Sequence, residues 1–294
     1  MREHEAVTKA RNGGDIGVLI AGLSILFGLG FVAFCIGFFI ALGADQQSDE
    51  GLLGFIFENF GYLIIGLALL GVAMMMTRVV RHTMLGNALH IEYSGYAWLR
   101  DWANGISAEI GMPKVEIFVT QDPVMNAFAM GFYGPYTIVL NSGSIRYLTP
   151  DELKAIVLHE MAHVKYHHTK INVYLQFINA YPVVGAISKY VLDFWGRRAE
   201  LTADRLALTY SKNPELVKNA LIKVHVGPDV AKDFNQVARQ WQAHNTRSLF
   251  NSFSQTLSSH PFLAKRLRHI DQSLHLIQVS PPNQPLPEPH AATQ

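Results

Sequence analysis

The sequence predicts a mainly α-helical domain with a small β-sheet, preceded by an N-terminal hairpin of two transmembrane helices. Two long apolar runs near the N-terminus indicate the hairpin, and short β-branched segments set among helical patterns indicate the α+β domain. Hydrophobic residues make up 49% of the 294 residues and charged residues only 16%, which is apolar for a soluble protein. The net charge of +1 argues against a nucleic-acid partner, which would require a basic excess.

The hairpin is predicted from two stretches that contain no charged residue. Ile16–Gly43 is about 28 residues long and Phe60–Thr77 about 18, against the roughly 20 that span a bilayer. Basic residues flank the two outer ends of this region, whereas the loop between the runs carries only acidic ones. The positive-inside rule therefore places the N-terminus and everything after Thr77 in the cytoplasm, with the lipid bilayer as one partner of the chain.

The chain divides into four predicted parts. Residues 1–14 form a cytoplasmic tail, 15–78 the two-span anchor, 79–278 the globular domain, and 279–294 a proline-rich tail that we expect to be disordered. Within the globular domain the apolar patterns predict a helix and then three strands, at Ile91–Gly111, Val115–Thr120, Met125–Met130 and Tyr136–Asn141.

One well-capped helix of this domain carries a metal-binding pattern. It begins after Thr149 with a proline and a capping glutamate, and further along it contains His159, Glu160 and His163 in an H-E-x-x-H arrangement. Four residues make slightly more than one turn, so both imidazoles project from one face and can bind one Zn²⁺. Glu160 lies beside them and can accept a proton from the attacking water.

Two further groups of residues bear on the metal site. His167 and His168 are interpreted as a solvated helix end, favoured by the helix dipole, rather than as ligands. A catalytic zinc needs a third protein ligand, for which Glu200 is the best candidate. Asp204 shares its helix face and could accept a hydrogen bond from a ligand imidazole. From spacing alone, a surface salt-bridge face with the neighbouring arginines accounts for this pair equally well.

Four stretches taken together resemble the M48 family of metallopeptidases, especially its HtpX-like membrane proteases. They are Asn126-Ala127-Phe128-Ala129, the His159–His163 motif, the segment from Glu200 to Asp204, and Ser259-His260-Pro261 followed by Arg266. The resemblance implies a zincin-type metalloprotease domain in residues 79–278. It also implies one Zn²⁺ per chain, held by His159, His163 and Glu200, with Asp204 accepting a hydrogen bond from a ligand imidazole. It favours a bacterial inner (plasma) membrane, with the catalytic domain on the cytoplasmic side.

The same resemblance implies roles for two other segments. Residues Asn126, Ala127, Phe128 and Ala129 would form an exposed edge strand that pairs with the substrate backbone, which is a physically sound use of unpaired N–H and C=O groups. His260 would stabilise the oxyanion, although a histidine before a proline, read by itself, is more often a loop residue. HtpX-like relatives commonly carry further spans before the glutamate ligand. Here residues 172–195 contain polar groups that are costly in lipid, so we expect helices that cover the site or touch the bilayer surface.

We therefore expect a membrane-anchored zinc endopeptidase that hydrolyses peptide bonds of membrane or misfolded proteins, with Glu160 as general base. One alternative is a non-catalytic, zinc-stabilised chaperone or adaptor that binds peptides at the membrane. The intact Glu160 argues against it, because a non-catalytic site has no need of that carboxylate. A second alternative is a purely structural zinc site, but such sites usually have four protein ligands and rely on several cysteines, whereas this sequence has only Cys35, in an apolar run.

Overall fold

The computed structural model describes residues 4–45, 51–131, 134–179, 182–245 and 261–277. Over these residues the protein is mostly helical with one four-stranded mixed sheet, and two long apolar helices lie near the N-terminus. The predicted fold class is therefore confirmed. Two of the sequence predictions, the role of His260 and the proline-rich tail 279–294, lie outside the described residues.

The elements follow one another along the chain in the order α1–α3, β1, α4, β2–β4 and α5–α12. The helices are α1 (Glu5–Ala10), α2 (Gly13–Asp45), α3 (Gly51–Leu85), α4 (Ala97–Glu109), α5 (Ser142–Tyr147), α6 (Pro150–Lys165), α7 (His168–Asn179), α8 (Pro182–Ser211), α9 (Pro214–Val226), α10 (Pro228–Ala231), α11 (Gln236–Asn245) and α12 (Leu263–Gln272). The strands are β1 (Leu89–His90), β2 (Val115–Thr120), β3 (Ala127–Met130) and β4 (Tyr136–Asn141), and short 3₁₀ turns occupy Ile91–Tyr93 and Leu274–Leu276.

Helices α2 and α3 form the hairpin, and each is long and apolar enough to cross a membrane. Their candidate spans, Gly13–Gly43 and Gly54–Leu85, have mean hydropathies of 2.7 and 2.2. Only 6% and 0% of the two most apolar windows is buried inside the protein, so these helices are apolar on every face and are not core helices. The ring of Phe55 lies 5.4 Å from that of Phe34, which joins the two helices directly.

Both outer ends of the hairpin are attached to the same domain. At the end of α3, the Arg81 guanidinium donates hydrogen bonds to Glu116 at 2.6 Å and to Thr137 at 3.1 Å. At the start of α2, Asp15 accepts a hydrogen bond from Arg198 on α8 at 2.8 Å. Both outer ends of the hairpin are therefore bonded to the same domain, and the side of the membrane on which this domain lies stays a prediction.

Helix α1 belongs to the domain core, which differs from the predicted tail over residues 1–14. Val7 is fully buried, and its carbonyl accepts a hydrogen bond from the Tyr166 hydroxyl at 2.9 Å. The carbonyls of Ala6 and Ala10 accept hydrogen bonds from Thr209 and Arg205 of α8 at 3.1 and 2.8 Å. A six-residue helix contributes too few apolar positions for a periodic signal, so the sequence pattern does not predict this contact.

The four strands lie in the order β1-β2-β4-β3. Strands β2 and β4 are parallel and have the predicted bounds, whereas β3 is antiparallel to β4 and forms an edge of the sheet. Strand β3 begins two residues later than predicted, at Ala127. The carbonyl of Asn126 accepts hydrogen bonds from the Asn141 N–H at 3.0 Å and from the Ser144 hydroxyl at 2.9 Å, so it belongs to the turn before the strand.

The helix predicted over Ile91–Gly111 is shorter in the structure, where α4 covers Ala97–Glu109. The Ser94 hydroxyl donates to the Ile91 carbonyl at 2.9 Å and accepts from the Tyr96 N–H at 3.1 Å. A serine side chain that bonds the backbone of neighbouring residues favours a turn, so the helix starts only after this point. The helix ends two residues before the predicted position, and Gly111 follows with a φ of 65°, the left-handed conformation that glycine adopts readily at a helix end.

Candidate metal centre

Helix α6 places the H-E-x-x-H residues in the middle of the domain. At its start the Thr149 hydroxyl accepts the Glu152 N–H at 3.3 Å, and the Glu152 carboxylate accepts the Thr149 N–H at 2.9 Å. This capping box, which the sequence predicts, satisfies two backbone donors at the helix end. The rest of the helix is buried on nearly every face between the sheet, α8 and α9, so its polar side chains lie inside the protein.

Three potential ligand atoms meet on one side of α6. The Nε2 atoms of His159 and His163 are 3.2 Å apart, and they lie 3.3 and 3.6 Å from the two carboxylate oxygens of Glu200 on α8. A tetrahedral Zn²⁺ with bonds of about 2.0–2.1 Å separates its ligand atoms by about 3.3 Å. The donor set and its spacing therefore fit a zinc ion at this point, without rearrangement of the backbone.

Asp204 lies directly behind one of these histidines. Its Oδ1 atom is 2.9 Å from Nδ1 of His159, and the residue has no exposed surface. Arg266 on α12 binds the same carboxylate through both of its oxygens, at 2.8 and 2.6 Å. The alternative of a solvated salt-bridge face for Glu200 and Asp204 is therefore wrong, because both residues face the interior.

Burial and charge act on the protonation of the metal-free centre in opposite ways. Burial alone would lower the pKa of His159, but hydrogen bonds with Asp204 and Glu200 raise it to about 10. Burial lowers the pKa of His163 to about 4. The pKa of Asp204, which burial would raise, is held well below its usual range by Arg266 and His159. Without a metal ion, His159 carries the proton that the anionic partners require, and a bound cation would take its place.

Glu160 points into the same cavity as the ligand group. It is 7% exposed, and burial raises its pKa to about 7, so the carboxylate holds its proton more strongly than an exposed glutamate. The backbone N–H of Ala129 donates a hydrogen bond to this carboxylate. A carboxylate with a pKa near neutrality, beside a metal-type donor set, is suited to accept and return a proton at physiological pH.

The cavity in front of these residues has a volume of about 630 Å³. The space is lined by strand β3 with the residues before it, and by the start of α7 through Thr169, Asn172 and Val173. Thr77 of α3 also reaches the cavity, so the membrane hairpin borders it. The first residues of α7 thus border the site, and the expectation that residues 172–195 stay outside the membrane stays a prediction. Thr169 is buried, and its hydroxyl has no hydrogen-bond partner among the described residues.

The backbone of β3 turns alternate residues towards this cavity. Because the Asn126 carbonyl bonds Asn141 of β4, and the Ala129 N–H is directed at Glu160, alternation leaves Ala127 and Ala129 with their polar groups facing away from β4. Ala127 therefore presents its N–H and C=O at the open edge of the strand, whereas the Ala129 N–H is already bonded to Glu160. Of the predicted substrate segment, Ala127 to Ala129 therefore lie in an edge strand beside the centre, and Asn126 lies at its start.

The structure brings His159, Glu160, His163, Glu200 and Asp204 together, as the sequence predicts. Two contributions were missed. Arg266 was recognised only as part of a motif, and its contacts with two acidic side chains could not be derived from spacing. His168 was predicted to be solvated, which is wrong: it is 4% exposed and lies 3.1 Å from His163. In a continuous helix two residues five apart point in different directions, so no periodicity could indicate this contact.

The fold and the site together define a metalloprotease attached to a hydrophobic helical hairpin. Comparison with known proteins agrees with this class. The chain belongs to peptidase family M48, whose sequence profile matches residues 95–274, more than half of its length. The matched region contains every described residue of the metal centre.

Individual relatives are more distant. The chain is 32% identical over 179 residues to the plastoglobule-localized metallopeptidase 48 of Arabidopsis thaliana, an alignment that covers 53% of this chain and 51% of that protein. It is 25% identical over 211 residues to a protease HtpX homologue of Bacteroides fragilis, covering 57% and 65%. The chain thus spans about half to two thirds of the length of these relatives. The crystal structure of S. mikatae Ste24p superposes with a TM-score of 0.51 and 14% identity, covering 87% of this chain and 67% of that one, which shows a shared fold.

Proposed function

We propose that this protein is a zinc-dependent endopeptidase that hydrolyses peptide bonds of membrane or misfolded proteins at a membrane surface. The observation that carries the proposal is the position of Glu160, a buried carboxylate that faces one cavity together with the His159, His163 and Glu200 donor atoms. A structural zinc site would need a fourth protein ligand in place of this open space. His159, His163 and Glu200 would hold the ion.

A bound Zn²⁺ would supply Lewis acidity, which polarises a carbonyl and makes water more acidic. The residues of the chain then do the rest. Glu160 accepts the proton of the attacking water and returns it to the leaving amine, and a pKa near neutrality permits both transfers. Asp204 holds His159 with Nε2 directed at the ligand group, and Arg266 fixes Asp204. Oxyanion stabilisation by His260 stays a prediction from the family resemblance.

Strand β3 would hold the substrate as an extended chain. The N–H and C=O groups of Ala127 face the cavity and are free to pair with a peptide backbone, as at any open sheet edge. A peptide bound there would cross in front of Glu160. Backbone pairing accepts most sequences, which suits an enzyme that removes misfolded proteins rather than one that recognises a single motif.

The hairpin bears on the source of the substrate. Thr77 of α3 borders the cavity, so a polypeptide that leaves the bilayer alongside α3 would meet the site without diffusing through bulk solvent. The basic residues outside both ends of the hairpin support a cytoplasmic position of the domain under the positive-inside rule. We therefore propose an integral protein of a bacterial inner membrane with a cytoplasmic catalytic domain.

The proposal is tested with the full chain purified in detergent and incubated with unfolded casein and with a membrane protein. Zinc-dependent cleavage should stop on addition of a metal chelator and return with zinc. Glu160→Gln should bind zinc as the wild type does and cleave neither substrate. The matched control Glu215→Gln changes an exposed glutamate and should retain activity.

Three results would contradict parts of this proposal. Cleavage by Glu160→Gln at the wild-type rate would remove Glu160 from its role as base. Suppression of casein aggregation with no cleavage, by a zinc-loaded wild type, would favour the chaperone alternative. Equal cleavage of casein and of membrane proteins would mean that the position of Thr77 beside the cavity gives no preference for substrates that leave the bilayer, while leaving the enzymatic reaction itself intact.

A further inference from the structure

His168 makes a contact with the metal centre that the mechanism above does not use. Its Nδ1 atom lies 3.1 Å from Nδ1 of His163, and the two rings meet edge to face with centroids 5.2 Å apart. The other nitrogen of His163, Nε2, is directed at His159 and Glu200. His168 therefore lies on the side of His163 opposite the ligand group, as Asp204 does for His159.

The backbone is bent to achieve this contact. Helix α6 ends at Lys165, and His167 has a φ of 63°, the left-handed conformation that residues other than glycine rarely adopt. Helix α7 then starts at His168. The turn interrupts the helix between His163 and His168 and lets the two rings meet. A strained residue at this point indicates that the placement of its neighbour is retained at some cost in free energy.

The surroundings hold the His168 ring in place. Its centroid lies 5.5 Å from that of Trp195 on α8 with an interplanar angle of 89°, and 5.9 Å from the ring of Tyr166. Trp195 is only 2% exposed. A ring enclosed in this way has little freedom to turn, so the direction of its Nδ1 atom is fixed by contacts on two helices.

Two Nδ1 atoms at 3.1 Å form a hydrogen bond only if one of them carries the proton and the other does not. If His163 carries it, Nε2 of His163 has a free lone pair and can bind a metal ion. If His168 carries it, Nε2 of His163 must be protonated to remain neutral and cannot bind. The contact is therefore productive in only one of its two forms, with His168 as the acceptor.

We propose that His168 is a positioning residue, whose Nδ1 atom accepts the Nδ1–H of His163 and so fixes the tautomer and ring orientation in which His163 binds zinc. This inference rests on the metal centre of the proposed function. Partners of this kind typically change metal affinity by 10–100-fold when they are removed. No role in binding substrate is assigned to His168, because it reaches the site through His163.

The test compares two substitutions of His168 by residues with a side-chain amide, in the full chain purified in detergent. In His168→Asn the side-chain oxygen occupies nearly the position of Nδ1 and can accept the same hydrogen bond, whereas the amide of His168→Gln reaches the position of Nε2. The zinc dissociation constant is measured by competition with a chromophoric chelator. We expect the constant to stay within about 3-fold of wild type for His168→Asn and to rise about 10–100-fold for His168→Gln and His168→Leu.

Two controls make the result specific. His167→Asn changes the adjacent histidine and keeps a residue that tolerates positive φ, so zinc affinity should be unchanged. The absorption spectrum of bound Co²⁺ should keep its wild-type shape in His168→Asn and change in His168→Gln, a readout that needs no turnover. Wild-type zinc affinity in all three His168 variants would overturn the inference. So would a dissociation constant that rises by the same factor in His168→Asn as in His168→Gln. Failure of the wild type to bind zinc would instead refute the proposed function.

Discussion

Arg266 binds both carboxylate oxygens of Asp204, from Nε to Oδ2 at 2.8 Å and from Nη2 to Oδ1 at 2.6 Å. The two residues are 4% and 0% exposed. Because Oδ1 of Asp204 is also 2.9 Å from Nδ1 of His159, this one ion pair determines how a potential zinc ligand is oriented. Helix α12, far along the chain from α6, thereby becomes part of the metal centre.

Replacing Arg266 by Met should destabilise the protein by roughly 3–5 kcal/mol, because it leaves the Asp204 carboxylate buried without its cation. The change is measured as the shift of the unfolding midpoint in detergent. Lys218→Met is the matched control, since Lys218 pairs with the exposed residues Glu215 and Asp271 and should cost about 1 kcal/mol or less. Equal midpoints for the two variants would contradict this account of the ion pair.

Glu200→Gln should weaken zinc binding by at least about tenfold, because a neutral amide replaces the only anionic donor of the proposed set. The zinc content after dialysis against a mild chelator measures the effect. Glu215→Gln, an exposed position, serves as the control and should keep its zinc. Retention of a full zinc equivalent by Glu200→Gln would exclude Glu200 as a ligand.

The metal-free protein should show a pH dependence of stability that originates from Glu160. Burial raises the pKa of Glu160 from 4.5 to about 7, so its contribution to stability is complete below about pH 4.5 and is lost as the pH rises through 7. Glu160→Gln does not titrate and escapes this loss. With excess chelator, the variant's thermal midpoint should therefore rise relative to wild type by roughly 5 °C between pH 5 and pH 8.

The same pH series identifies the responsible group. Glu215→Gln, which changes an exposed glutamate outside the metal centre, is the control and should show the same trend as the wild type. Added zinc should abolish the trend, since a nearby cation favours the ionised form of Glu160. A constant difference between Glu160→Gln and wild type across the series would show that Glu160 ionises normally.

Much of this fold could be predicted because it depends on local patterns. Apolar residues alternate along β2 and are nearly continuous along β4, and both strands have the predicted bounds. The capping box of α6 also forms between the two predicted residues, Thr149 and Glu152. The H-E-x-x-H spacing fixes the relative directions of His159 and His163 through helix geometry alone.

The parts that could not be predicted depend on contacts between distant segments. Val7 is buried against residues about two hundred positions later, and the two-residue strand β1 exists only because β2 lies beside it. His168 needs the left-handed residue before it, and a left-handed histidine has no sequence signal. Glu200 could be assigned only through the family resemblance, since one carboxylate on a helix is compatible with a surface or an interior position.

Val7→Ala should lower the free energy of unfolding by about 1–3 kcal/mol, because it leaves a cavity beneath α1 where the side chain is now fully buried. Thr8→Ala, on the exposed face of the same short helix, should have little effect. Equal unfolding midpoints for the two variants would mean that residues 1–14 behave as the tail that the sequence indicated.

Ala127→Pro should impair substrate binding without affecting the metal. Proline removes the N–H that faces the cavity, and an edge strand tolerates proline on its open side. We expect the KM for a peptide substrate to rise by roughly 2–13-fold, because one backbone hydrogen bond worth about 0.5–1.5 kcal/mol is lost, with an unchanged zinc dissociation constant. A wild-type KM would indicate that substrates do not pair with β3.

The attachment of α1 to α8 has a consequence for how the chain is made. The hydrogen bond between Thr209 and the Ala6 carbonyl joins residues 203 positions apart, so at about 5–20 residues per second the first helix leaves the ribosome on the order of 10–40 seconds before its partner. Insertion of α2 in the meantime keeps α1 at the membrane surface where α8 will emerge, and this shortens the search for a distant contact. The contact between α1 and α8 can therefore form only after α2 has been synthesised, and α12 with Arg266 completes the domain later still.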